Sequence, residues 1–180
     1  AWLSVLEASY IVYLLRPHYK NFNKRLIKTP KLFFLDSGLA AKLLGIENKE
    51  QIVNHAYRGA LFETWVISEL LKKRYNSGLS ANLFFWRDRT GNEVDILVDQ
   101  GEDLIPVEIK SGRTLTQSYF KGLHRWSKLA GKAANNPSLV YAGDKTRTWQ
   151  GIHVLPWSEV GNLSHFIHPR IDINETFIQD

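Results

Sequence analysis

The chain has 180 residues, 44% of them hydrophobic and 12% aromatic, enough to bury one sizeable core, so a globular protein is expected. It lacks cysteine, which excludes disulfides and thiolate metal centres. No apolar run approaches the ~20 residues that span a bilayer, so the reading is no membrane and a cytoplasmic location. The net charge of +5 favours an anionic partner, with nucleic acid the first candidate.

Residues 2–8 carry Leu3, Val5 and Leu6 at the spacing of a helix start or of a truncated helix tail. Residues 10–15, β-branched and aromatic, read as a strand. The chain then turns basic, with Lys20, Lys24, Arg25, Lys28 and Lys31 interleaved with Tyr19, Phe22 and Phe33. Cationic side chains neutralise phosphates and rings stack on bases, so this is a candidate nucleic-acid contact, or else a solvated loop between strands. Residues 32–35 form a second strand. Asp36 is placed to cap a helix over residues 37–44, which Gly45 ends.

A polar connection through His55 leads to the longest helical signal, residues 59–74. Its apolar positions, among them Leu61, Trp65, Val66 and Leu70, cover most of the circumference, so this helix is expected to be buried. Glu63 falls inside the apolar arc, away from the polar side near Ser68 and Lys72. A carboxylate there must find a cation, a metal or a proton. Residues 83–89 form an aromatic-rich strand, and Thr90, Gly91 and Asn92 supply a turn.

Two apolar-alternating runs follow, residues 93–98 and 104–110, joined by an acidic, glycine-containing loop: an antiparallel hairpin. Alternation puts Val94, Ile96 and Val98 on one face and Ile105, Val107 and Ile109 on another, with Asp95, Glu108 and Lys110 on the reverse. Pro106 argues for an edge strand or a strand start. Beyond it, residues 119–130 have helical spacing, with Lys121, Arg125, Lys128 and Lys132 forming a basic stripe that either holds phosphates or is a solvated face. Residues 138–142 and 152–155 read as strands and 157–163 as a short helix. The histidines, His18 to His168, offer no ligand set and are expected at the surface. The middle of the chain thus runs helix, three strands, helix, strand.

If the long helix packs across the polar side of the hairpin, Glu63, Asp95 and Glu108 meet. Hard oxygen ligands suit magnesium or manganese, which lower the pKa of a bound water and neutralise charge on a phosphodiester. Lys110 shares the strand face of Glu108 and would orient water or stabilise developing charge, and Ile109 could add its backbone carbonyl to the metal shell.

Asp95 and the run Glu108, Ile109, Lys110, with Glu63 on the preceding helix, resemble the PD-(D/E)XK signature of the restriction-endonuclease-like superfamily, with Val94 in place of its proline. Four blocks, KLFFLDSG at residues 31–38, GALFETWV at 59–66, NEVD at 92–95 and VEIK at 107–110, are together similar to an uncharacterised domain at the C-terminal end of AAA-type ATPases. The resemblance implies an α/β fold: a restriction-endonuclease-like core (αβββαβ, a mixed central sheet flanked by helices) over residues 51–165. A small N-terminal partial winged-helix-like element would occupy residues 1–50, and residues 166–180 would be a tail. It implies a metal-dependent nuclease with Asp95, Glu108, the Ile109 carbonyl and supporting Glu63 on Mg2+ or Mn2+, and Lys110 in the superfamily's lysine role. The partners the resemblance implies are DNA and the ATPase module of the same full-length chain, where alone ATP would bind; the basic residues read above as the DNA contact are Lys20, Lys24, Arg25, Lys28, Lys121 and Arg125, and a homo-oligomer is a further arrangement open to the chain. The other reading is a catalytically silent module of that ATPase, binding nucleic acid or protein on the same scaffold.

Overall fold

The computed structural model describes residues 2–20 and 26–162. Among these residues the helices are α1 (Trp2–Ala8), α2 (Ser37–Leu43), α3 (Lys49–Val53), α4 (Arg58–Asn76) and α5 (Lys121–Ala130). The strands are β1 (Val12–Pro17), β2 (Lys31–Phe34), β3 (Leu83–Arg87), β4 (Glu93–Gln100), β5 (Asp103–Lys110), β6 (Ser138–Tyr141), β7 (Arg147–Trp149) and β8 (Ile152–Pro156). All eight lie in one mixed sheet, ordered β2-β1-β3-β4-β5-β6-β8-β7. β4 is antiparallel to both neighbours, whereas β5, β6 and β8 run parallel. A parallel step needs a crossover, and α5 supplies the one from β5 to β6.

The sheet is covered on both faces. On one, α4 packs Val66, Ile67, Leu70 and Leu71 against Ile96, Val98, Ile105, Val107 and Ile109. On the other, α5 sets Trp126 against Trp86, Leu97 and Leu104, and Leu123 beside Leu139 and Val154. Double coverage explains why every residue from 104 to 109 is buried. It also corrects the expected docking of the long helix, which packs on the apolar face of the hairpin. Ser68, expected on the polar side of that helix, is likewise buried, its hydroxyl donating to the Trp65 carbonyl at 2.9 Å.

The expected alternation along β4 fails at one place. The β3–β4 register passes from Phe84↔Leu97 to Trp86↔Val94, so β4 carries one extra residue, a β-bulge. Val94 therefore packs with Trp86 and Trp126 on the α5 side, while Ile96 and Val98 face α4. Asp95 sits at this irregularity. Pro106, expected on an edge strand or at a strand start, lies within an interior strand opposite Leu97. Its missing N–H is tolerated because the ladder to β6 begins only at Val107↔Ser138; before it, the Leu104 carbonyl accepts from the Asn135 amide at 3.0 Å.

The N-terminal residues extend this same sheet. β1 pairs with β3, and Leu15 and Phe33 join the core under α4. The Asp36 carboxylate caps α2 as its position predicts, accepting from the amides of Gly38 at 2.7 Å and Leu39 at 3.0 Å, and Gly45 follows with φ +75°. α3 and β7 have no counterpart in the sequence reading. His18 is a correction: 1% exposed, it lies with Nε2 2.9 Å from Asp99 Oδ2 and its ring stacked on Tyr19. Burial pulls its pKa down, against the pull of Asp99. His165 and His168 lie outside the described residues.

Candidate acidic site and basic groove

Four carboxylates and two ammonium groups gather at one end of the β4–β5 hairpin. Glu63 projects from the first half of α4, and its Oε1 accepts from Lys31 Nζ at 3.1 Å. Lys31, the first residue of β2, also pairs with Glu93, the first residue of β4, and stands 5.5 Å from the Phe85 ring centroid. The cation that Glu63 needs is thus a lysine from the N-terminal part of the chain. Asp95 takes over where the backbone ladder stops: beyond Ile96↔Val107, its Oδ2 accepts from the Ile109 amide at 2.8 Å. Glu108, only 8% exposed, accepts from Lys110 Nζ at 2.6 Å through Oε1. Its Oε2 is buried with no hydrogen-bond partner among the described residues and faces Gly122 in the first turn of α5, where a Cβ would stand 3.5 Å away.

The electrostatics follow from crowding and burial. Burial first, then the neighbouring Asp95, raises Glu108 to about 7. Burial likewise raises Glu63, with Asp95 adding to the shift and Lys31 opposing it. Asp95 is raised by burial, against Lys110 and the Ile109 amide. Burial pulls Lys110 and Lys31 down, but the carboxylates around them hold both above their ordinary value. Four acids face Lys31, Lys110 and, at Glu93, the Arg87 guanidinium at 3.5 Å, so the cluster stays short of positive charge and its buried acids hold their protons more readily.

The structure thus brings Glu63, Asp95, Glu108 and Lys110 to one place, and Ile109 meets them through its amide N–H. Lys31 and Glu93 complete the cluster and were not among the expected site residues. Both stand inside conspicuous sequence blocks, but only the pairing of β2 beside β1 and β3 carries Lys31 to the end of β4. Among the described residues no group of three or more histidine or carboxylate side chains is arranged to hold a metal ion. The donor set itself suits a hard cation: carboxylate oxygens only, one of them buried and unpartnered.

A groove of about 1170 Å³ runs beside the cluster, lined among others by Trp86, Asn92, Glu93, Lys121, Arg125 and Lys128. Its wall is a hydrogen-bonded turn. The buried Asp88 carboxylate accepts from the amides of Thr90 and Asn92, the Thr90 hydroxyl and the Asn92 side chain, and these bonds hold its pKa low despite burial. Arg125 donates to the Asn92 side-chain oxygen. Trp86, 2% exposed, has an indole N–H with no partner among the described residues. Of the cationic side chains expected to meet nucleic acid, Lys121 and Arg125 are exposed on this groove, with Lys128 beside them. Lys28 is exposed, and Lys20 is half-buried next to His18. Lys24 and Arg25 lie outside the described residues.

No described helix is long and apolar enough to cross a membrane. Two uncharacterised mycobacterial proteins, Rv2008c of Mycobacterium tuberculosis and Mb2031c of Mycobacterium bovis, are each 29% identical to this chain over 144 residues, covering 79% of it and 31% of the relative. The chain therefore spans about a third of the length of these curated relatives. Residues 1–50, which contribute Lys31, match a domain of unknown function, DUF8612. Residues 58–160, which hold every other member of the acidic cluster and the whole groove, match the family described as Domain of unknown function (DUF4143), and with more than half its length in that match the chain belongs to this family.

Proposed function

We propose that this chain is a metal-dependent phosphodiester hydrolase domain with a restriction-endonuclease-like core, acting on nucleic acid, DNA first, as the C-terminal part of an AAA-type ATPase. The observation that carries the reading is the buried, unpartnered Glu108 Oε2 beside Asp95, at a β-bulge that removes Asp95 from the ladder. An unpaired buried carboxylate oxygen is costly, and a divalent cation would satisfy it. Asp95 and Glu108 would hold Mg2+ or Mn2+, with the Ile109 carbonyl and Glu63 in support. When bound, such an ion lowers the pKa of a water and offsets charge on the phosphodiester. Lys110, already ordered on Glu108, stands ready to stabilise the developing negative charge. The Asp88 turn and the first turns of α5 hold Lys121 and Arg125 beside the cluster, where they would anchor flanking phosphates. The family's frequent occurrence in AAA-ATPase-associated proteins supports the placement in an ATPase chain.

Asp95→Ala and Glu108→Ala are expected to abolish Mg2+-dependent cleavage of a labelled DNA while leaving the thermal melt of the metal-free protein unchanged or raised, because each removes a member of a crowded acidic set. Both variants melting far below the parent would count against the reading. One observation favours a second reading, a silent binding module: Lys31, Arg87 and Lys110 already pair with Glu63, Glu93 and Glu108. Binding of DNA without any cleavage, in Mg2+ and in Mn2+ alike, decides for the module.

A further inference from the structure

The basic lining of the groove reaches Lys121, the first residue of α5, and the preceding residue, Phe120, lines a second, separate cavity of about 240 Å³. This second cavity lies between the segment leading into α5 and the edge strand β7. Its walls include Thr116, Gln117, Phe120, Arg147 and Trp149. Trp149 is 38% exposed, with its ring 6.3 Å from that of the buried Phe120, and the Arg147 guanidinium stands 5.6 Å from the Trp149 ring centroid. His124 Nε2 and Gln150 Oε1, 3.1 Å apart, tie the β7–β8 turn to α5, so the two cavities share one framework.

We infer that this aromatic pocket takes an unpaired base of single-stranded nucleic acid whose backbone follows the basic groove, so that the strand is held on both sides of the first turn of α5. The inference rests on the proposed nucleic-acid function and deepens it by naming the strandedness. Charge and shape argue for this occupant together. A lysine and arginine row tracks a phosphate backbone, whereas Trp149, backed by the buried Phe120 and flanked by the Arg147 guanidinium at a small cavity, offers a surface for stacking, which every base satisfies and which a base inside a duplex cannot reach. Thr116 and Gln117 place hydrogen-bonding side chains at the cavity wall, where a base edge would lie.

The test is fluorescence anisotropy of labelled oligothymidylate, about 16 nucleotides long, against a duplex of the same length, with no divalent cation present. The expected result is tighter binding of the single strand, weakened about tenfold in Trp149→Ala, the worth of one stacked base, and largely restored in Trp149→Phe. The slope of log K against log salt is expected to be unchanged in Trp149→Ala and to flatten by about 0.7 for each phosphate no longer neutralised in Lys121→Ala and Arg125→Ala. Duplex preference in the parent, or parental affinity in Trp149→Ala, would overturn the inference. So would the absence of binding to either probe, which would point to a protein ligand. Asp95→Asn separates the two proposals: parental single-strand affinity in that variant, with no cleavage by the parent, removes the hydrolase reading alone, whereas cleavage by the parent with no effect of Trp149→Ala removes the pocket alone.

Discussion

Glu108 shows how one side chain can report on its surroundings. Folding holds its proton up to about pH 7, whereas the unfolded chain releases it near the ordinary glutamate value of 4.5. The folded state therefore binds more protons than the unfolded state between those values, and stability falls as pH rises through that window, levelling off above it. Glu63 and Asp95 are shifted in the same direction and add to the trend. The lowered pKa of His18 works in the opposite sense, one group against three, so thermal melts of the metal-free protein are expected to give a lower Tm at pH 8 than at pH 5. Glu108→Gln, uncharged throughout, is expected to shrink that difference, and an identical pH profile in the variant would show that Glu108 ionises as freely as an exposed acid. Lys31 and Lys110 do not disturb the comparison, since both stay charged across this range.

At the scale of the element, two devices can be separated by their cost. The Asp36 cap is local: a β-region residue whose carboxylate takes two amides at the start of α2. Its removal in Asp36→Ala is expected to cost about 1 kcal/mol in urea denaturation. Trp126 is tertiary, since α5 presents it to the centre of the sheet, where it is 1% exposed among Trp86, Leu97 and Leu104. Trp126→Ala is expected to cost about 3–5 kcal/mol, because the cavity left between a helix and a sheet already packed on its other face cannot collapse. A cost of Trp126→Ala no larger than that of Asp36→Ala would mean that α5 is not seated as described. The β4 bulge belongs at this scale too. It moves Val94 to the α5 face and leaves Asp95 at the break in the ladder, so the position of an acid is set by a register shift in its strand.

For the whole molecule, the acidic cluster is an assembly that no single segment contains. Lys31 comes from the part matching one domain family, and the carboxylates come from the part matching another. A ligand that binds only the assembled cluster must stabilise the entire fold. On the proposed reading, Mg2+ at about a hundred times its Kd is expected to raise the Tm by roughly 5 to 10 °C, and the shift is expected to vanish in Asp95→Asn. No shift in the parent with either Mg2+ or Mn2+ would remove the metal from the proposal.

The sequence by itself determined the hairpin around Gly101, the buried long helix, the cap at Asp36 and the run of helix, three strands, helix and strand, because period and turn chemistry are local properties of consecutive residues. It also singled out Glu63 as an acid that needed a partner. Only the tertiary structure decided who that partner was, which face the long helix covers, how an interior strand accommodates Pro106, and that His18 is buried against Asp99. Those outcomes depend on which strands become neighbours in an eight-stranded sheet. Pairing between distant segments leaves little trace in the spacing of residues along either one, so a lysine near the start of the chain could be recognised as part of an acidic site only after the sheet had formed around it.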